Sequence, residues 1–345
     1  MAAPFAESRS RPVAVWLFVV ALLVVAMIVV GGATRLTGSG LSITQWRPVS
    51  GAAPPMTAQA WDQAFWRYQA TPQYRLVNRG MSLSEFRIIF WWEWAHRLLG
   101  RLVGVTFAAP MAFFLLSRRM PRRLIWRSLG LLFLGGLQGL VGWWMVKSGL
   151  EARASVAPER LAIHLGLGLL LLAALIWNGL EAWNGRAPGT IPRRDRWTLA
   201  SATLALAILL QCLLGALVAG NQAGLIDGDW PLMRGAIFPA DYWRASLWNT
   251  IVHGPSASQF DHRVFAYLIF AGAVTLALAA AYASSAPRLM RALAVTIALA
   301  VSVQAALGIA TLMTAVPLAL AMVHQAGAAL VLALSIALAW RSARN

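Results

Sequence analysis

Cysteine and charge are what this sequence has least of. Its single cysteine, Cys212, stands inside an apolar run, which excludes an internal disulfide and any cysteine-rich metal or iron–sulfur site. Charged residues are 12% of the 345, against about 25% in an ordinary globular chain. Hydrophobic residues reach 59%, and mean hydropathy is +0.64. A soluble chain of this length would form about two domains, but the composition overrules that reading. Apolar runs of roughly 20 residues recur from end to end, each long enough to cross a hydrocarbon core of about 30 Å. The sequence is that of an all-α integral membrane protein. Acidic residues are outnumbered by basic ones, 12 to 29, for a net charge of +17. The arginines cluster in short connections between apolar runs, where they set topology, so the partner is the lipid bilayer and no nucleic acid.

The pattern predicts eight transmembrane helices: Val13–Gly32, Ser84–Leu116, Leu124–Met145, Arg160–Trp183, Trp197–Gly220, Ser258–Ala283, Arg288–Met313 and Pro317–Trp340. Ser82 and Glu85 stand in capping-box register before the second, and Pro158 marks the start of the fourth. Arg9 and Arg11, Arg118 to Arg127, Arg186, Arg193, Arg194 and Arg196, Arg288 and Arg291, and Arg341 and Arg344 all fall on one side. Positive charge in short loops marks the cytoplasm, so both termini are expected inside a multi-pass protein of the cytoplasmic (inner) membrane. Two long loops, about 35–82 and 221–257, face out. The first dozen residues are too short for a transit peptide and include Glu7, so the mature chain is expected to start near Met1.

The chain repeats itself. Gly40-Leu41, Trp46, Gly51 and Pro55 recur 184 residues later as Gly224-Leu225, Trp230, Gly235 and Pro239. Glu93-Trp94-Ala95-His96-Arg97 is echoed by Gln259-Phe260-Asp261-His262-Arg263, and Gln138 and Gly142 by Gln304 and Gly308. Four spans per unit is an even number, so both units insert the same way up, as a parallel repeat about an axis along the membrane normal. Residues 1–190 and 191–345 are thus expected to form two four-helix bundles, each able to hold a group at its centre.

Of five histidines, His96, His164, His262 and His324 fall one on each even-numbered span, in its first half, at similar depth towards the outer face. A lone histidine there could be a polar residue satisfied by a neighbouring carbonyl, but two per bundle is a pattern packing does not demand. Two imidazoles without thiolates or a carboxylate cluster suit a haem iron better than zinc or a di-iron centre. Four residues beyond them stand Gly100, Gly168, Ala266 and Ala328, small enough to leave room for a macrocycle. Haem carboxylates need cations: Arg97, Arg101 and Arg263 on the histidine-bearing spans and Arg35 after the first are candidates, against the alternative that they snorkel to headgroups.

The halves differ in one acid. Glu93 lies three residues before His96 on the same helix face, where the second half has Gln259, which cannot titrate. Such a carboxyl group is either structurally bonded or chemically employed, and its one-sidedness suggests one site that carries electrons and one where bonds change. Trp61, Phe65 and Tyr68, spaced i, i+4, i+7, predict a short interfacial helix. Tyr242, Trp243, Leu247 and Trp248 look similar. Most of these aromatics read as a membrane-interface belt rather than lids, and His253 as exposed rather than a ligand.

The stretch Gly31-Gly32-Ala33-Thr34-Arg35-Leu36-Thr37-Gly38-Ser39-Gly40-Leu41-Ser42 with Trp46 and Pro48 closely resembles the opening signature of the haem A synthase family. So do Glu93-Trp94-Ala95-His96-Arg97-Leu98-Leu99-Gly100-Arg101 and the helices bearing His164, His262 and His324. The resemblance covers essentially the whole chain. It implies an oxidoreductase of oxidase assembly that converts haem O to haem A, oxidising the C8 methyl to a formyl group through hydroxylated intermediates. It further implies a haem b cofactor on His262 and His324, substrate haem on His96 and His164, and Glu93 as the essential glutamate. Haem O synthase and oxidase assembly factors are the partners it implies; a homo-oligomer is compatible with the sequence. The outer-loop cysteine pair of some members is missing here. The readings to be separated from it are a dihaem b-type electron-transfer cytochrome and a haem carrier.

Overall fold

Every apolar run becomes a helix because, with no water to hydrogen-bond it, a backbone in hydrocarbon must satisfy its own polar groups. The computed structural model describes residues 9–151, 153–185 and 195–344. Its elements are α1 (Arg11–Leu36), α2 (Ala58–Gln69), α3 (Pro72–Leu76), α4 (Leu83–Leu116), α5 (Arg122–Glu151), α6 (Pro158–Asn184), α7 (Arg196–Gly220), α8 (Leu247–His253), α9 (Pro255–Tyr282), α10 (Arg288–Met313) and α11 (Leu318–Ser342). Among the described residues the only strand-like pairing is one bridge, Met233 to Ala236. Eight helices, α1, α4 to α7 and α9 to α11, are long and apolar enough to span a membrane. Each carries large apolar side chains on its outer surface, among them Leu22, Val105, Phe133, Leu170, Leu206, Leu268, Val303 and Leu330, where a soluble protein would be polar. This is a multi-pass membrane protein. Glu7, Arg186, Arg193, Arg194 and the expected division at 190/191 lie outside the described residues.

The expected ends hold to within a few residues. Ser82 and Glu85 form the capping box in both directions, with Ser82 N donating to Glu85 Oε2 at 2.8 Å and Glu85 N to Ser82 Oγ at 3.3 Å. Pro158 sits in the first turn of α6. The largest departure is α5, which runs six residues past Met145 because Lys147 and Glu151, one turn apart, pair at 3.4 Å and Ser148 turns its hydroxyl onto Met145 O.

In the first half α1 packs on α4 and α6, and α5 on α4 and α6, closing a ring of four. In the second half α7, α9, α10 and α11 close the same ring. The halves meet where α6 touches α7, α1 touches α11 and α6 touches α11. Exchanging each helix for its repeat partner (α1 for α7, α4 for α9, α5 for α10, α6 for α11) turns the first contact into the second and leaves the third unchanged. That fits a parallel two-fold repeat. Arg35 NH2 donates to the carbonyl of Ala219, its own counterpart 184 residues on, at 2.8 Å, so these two ends of α1 and α7 meet beside the repeat axis.

At the far end of the bundles from the histidines, Glu181 of α6 is 1% exposed and meets Arg127 at 3.2 Å, Arg123 at 3.8 Å and Arg344 beyond α11. A buried carboxylate surrounded by cations ties α5, α6 and the end of α11 together, and it rests on the expected cytoplasmic side.

Candidate functional site

The four membrane histidines are seated alike. Each imidazole lies over a glycine of the helix beside it, so close that a side chain there would collide. A methyl group on Gly31 of α1 would stand 3.0 Å from His96 Nε2, and one on Gly142 of α5 would stand 2.9 Å from His164 Cε1. One on Gly215 of α7 would stand 3.1 Å from His262 Cε1, and one on Gly308 of α10 2.8 Å from His324 Cε1. Within each half the two imidazoles lie in electrostatic range of each other, His96 with His164 and His262 with His324. His96 and His164 thus lie on opposite helices of the first ring, α4 and α6, and His262 and His324 on opposite helices of the second, α9 and α11.

One turn before three of these glycines stands a glutamine that grips the histidine-bearing helix. Gln138 Nε2 donates to the backbone carbonyl of His164 at 2.9 Å, Gln211 Nε2 to that of His262 at 2.9 Å, and Gln304 Nε2 to that of His324 at 2.7 Å. Gln211 and Gln304 also bring the amide within 3.0 and 3.1 Å of the ring nitrogen Nδ1. In α1 the same position holds Met27, which has no N–H to give.

Glu93 is 2% exposed and its carboxylate is fully engaged. Oε1 accepts from Arg97 Nε at 3.0 Å and NH2 at 2.6 Å; Oε2 accepts from Ser42 Oγ and from the backbone N–H of Ile43, both at 2.7 Å. Arg97 continues to the carbonyls of Ile43 and Gln45. The pair thus fastens the loop that leaves α1. The second half uses the same joint with polarity reversed: Gln259 Nε2 donates to the carbonyls of Ala223 and Asp227, and Arg263 to those of Asp227 and Leu232. Position 93/259 is a loop anchor in both halves, and only the first half makes that anchor an anion.

The donor set fits a haem in each bundle. Among the described residues no three histidine, cysteine, aspartate or glutamate side chains gather into a metal cage, and a pair of imidazoles suits a haem, which would supply the remaining iron ligands itself. His164 Nδ1 is buried without a partner. The arginines singled out as carboxylate partners are partly engaged: Arg101 holds the carbonyls of Arg47 and Pro48, Arg263 and Arg97 hold their loops, and Arg35 bridges the halves. Arg35 Nε, Arg101 NH1 and Arg263 Nε are nevertheless buried with no partner, three N–H donors near the outer ends of the bundles suited to carboxylates.

Three expectations need correction. Gly100 and Gly168 do not open space for a macrocycle; a side chain on them would meet Met27 Cε and Gln138 Nε2, both at 3.3 Å, so they seat the neighbouring helix. Trp61, Phe65 and Tyr68 do lie on a short helix, α2, but they turn inwards. With Phe86, Ile89 and Phe90 of α4 they form a second small core, in which Tyr68 is wholly buried. Only Trp66 of that helix resembles a belt residue. In the second half Tyr242 packs on Phe238 and Phe260 and donates to Asp261, while Trp243, Leu247 and Trp248 are exposed as expected. His253 ends α8 half-buried, 3.9 Å from Glu159. Gly31, Gly142 and Gly308 stand in the repeat and in the family-like stretch without having been read as histidine seats, and Gly215 and Gln211 escaped the sequence reading, although the threefold Gln-x-x-x-Gly at 138/142, 211/215 and 304/308 announces them.

An eight-span helical membrane protein with two buried imidazole pairs, and no cage for a free metal among the described residues, belongs with the proteins that handle haem inside membranes. The chain is a member of the cytochrome oxidase assembly protein family, whose model matches residues 14–336. Its curated relatives include proteins named heme A synthase from Caulobacter sp. (strain K31), 56% identical over 338 residues, and from Caulobacter vibrioides, 54% identical over 338; each match covers 98% of both chains. Another of that name from Parvibaculum lavamentivorans is 50% identical over 76% of each chain.

Proposed function

We propose that this chain acts as a haem A synthase, oxidising the C8 methyl of haem O to a formyl group. His96 and His164 flank the substrate haem in the N-terminal half, and His262 and His324 hold a haem b in the C-terminal half. The observation that carries this division is the acid at position 93/259: two imidazole pairs are seated alike, and only the first has a buried carboxylate on the ligand helix three residues before its histidine, whereas the buried Asp227 of the second half belongs to the loop and is paired with Arg234.

Turning a methyl into a formyl group adds one oxygen atom and removes two hydrogens, a four-electron oxidation; with water as the oxygen source, one water is consumed and four protons and four electrons leave the substrate site. Haem b, when bound, supplies a one-electron carrier close by. The protein's own contribution is positional and electrostatic. Glutamines and glycines fix the imidazoles, and Arg35, Arg101 and Arg263 offer donors to haem carboxylates. Glu93 can stabilise positive charge developing at the methyl carbon or accept a proton. Both its oxygens already accept charge-assisted or backbone hydrogen bonds, so taking a proton requires releasing a donor; the geometry favours the electrostatic role. The arginine distribution puts both termini in the cytoplasm of a bacterial inner membrane and the imidazole pairs nearer the outer face. Haem O synthase upstream and oxidase assembly factors downstream complete the setting.

The test is to express the chain beside a haem O source and extract the pigments. Haem A is expected, with haem b retained and haem A lost in Glu93→Gln. Extraction of haem b alone, with haem O unchanged, would leave a dihaem electron-transfer cytochrome in its place.

A further inference from the structure

Three of the four ligand helices are gripped at the histidine itself, and one is not. In α5, α7 and α10 a glutamine one turn before the seating glycine donates to the carbonyl of His164, His262 or His324. In α1 that glutamine is replaced by Met27, whose methyl faces Gly100 of α4 just as Gln138 faces Gly168 of α6. The place is the same and the packing is preserved, but the hydrogen bond is gone. Among the described residues no side chain donates to the His96 carbonyl as Gln138 does to that of His164; the rings of both these histidines lack the amide contact that Gln211 and Gln304 make to His262 and His324. The glycine seat survives at Gly31, so His96 is close-packed but not tethered.

We infer that His96 is the exchangeable ligand of the substrate haem, and that Gln138, Gln211 and Gln304 are positioning residues which keep the other three imidazoles on their iron. This rests on the reading that haems occupy the two bundles. The cofactor half is then gripped on both sides, as a carrier that keeps its coordination should be. The substrate half is gripped only on the α6 side, so the His96 imidazole on α4 would be the one free to swing away from a bound haem while His164 held it. A ligand that must bind a haem, let it react and release the product needs one side that yields. The size of the effect follows from one neutral hydrogen bond, which shifts an on/off equilibrium by about 2- to 12-fold.

The experiment uses the full chain, purified with haem O in the first half and haem b in the second, reduced with dithionite and titrated with carbon monoxide. The optical difference spectrum gives the fraction of each haem that accepts it, and pigment extraction gives the haems present. Wild-type protein is expected to bind carbon monoxide at the haem O site and not at haem b. Met27→Gln, which installs the missing donor, is expected to lower that binding about 2- to 12-fold. Gln211→Met, which copies the α1 arrangement into the second half, is expected to make haem b reactive. A haem O site as inert as haem b, or Met27→Gln binding like wild type, overturns the inference and leaves the proposed function standing. A preparation that retains no haem in the first half overturns both.

Discussion

Replacing Glu93 by glutamine should free the loop that leaves α1, and the size of that effect can be worked out from its contacts. The Glu93 side chain is 3% exposed and its partner Arg97 18%, so solvent does little to screen them. Removing one partner of such a buried pair leaves the other charge uncompensated, at about 3–5 kcal/mol. Glutamine keeps the shape and one acceptor oxygen, which places the variant at the lower end, near 3 kcal/mol. At about 1.4 kcal/mol per factor of ten, opening of residues 42–47 should rise by roughly a hundredfold or more. Hydrogen–deuterium exchange of the purified protein reads this directly: the Ile43 amide, which donates to Glu93 at 2.7 Å, loses its acceptor and its peptide exchanges faster. The internal control is the loop at 225–232, held by the neutral Gln259, which should not change. Unchanged exchange at 41–47, or an equal rise in both loops, would refute the reasoning that the carboxylate anchors the loop.

Other perturbations separate the two halves and the two ends. Gly308→Ala puts a methyl 2.8 Å from His324 Cε1 and should lower haem b content, whereas Gly142→Ala crowds His164 and should lower retained substrate haem with haem b intact; pigment extraction distinguishes them. Gly32→Ala collides with the Gln325 amide, which now donates to Ile28 O at 2.9 Å across the halves, so thermal unfolding should come earlier and the haem b spectrum, one residue from Gln325, should shift. Glu181→Ala leaves Arg123, Arg127 and Arg344 without their shared carboxylate and should destabilise by about 3–5 kcal/mol. Because Glu181 lies 17 residues along α6 from His164, about 25 Å away, haem composition should not change. A lower unfolding temperature with altered haems would contradict that separation.

The span pattern was legible because hydrocarbon leaves the backbone little choice: long apolar runs with arginine-rich connections become helices, and the eight found match the eight expected. The histidine pairs were legible too, because the repeat places equivalent residues on equivalent helices. What stayed hidden depends on contacts between distant segments. Glu93 could be marked as unusual from its mismatch with Gln259, but that both dock a returning loop is visible only once Ser42 and Ile43 come back beside α4. The aromatic spacing in α2 predicted a helix without saying which way it faces; burial of Tyr68 against Phe86 decided that. The Gln-x-x-x-Gly spacing marks Gln211 and Gly215 as repeat positions, but that they hold a histidine is visible only once His262 is seen lying over the glycine.

The most direct test of the central claim is mass spectrometry of the haem recovered after purified, membrane-reconstituted protein holding both haems is incubated with an electron acceptor. The account predicts that haem O gains one oxygen and loses two hydrogens while haem b leaves unaltered, and that this change disappears in Glu93→Gln. Haem O recovered at its starting mass under conditions that fully oxidise haem b, or a modified haem b, would contradict the assignment of one half to chemistry and the other to electron transfer.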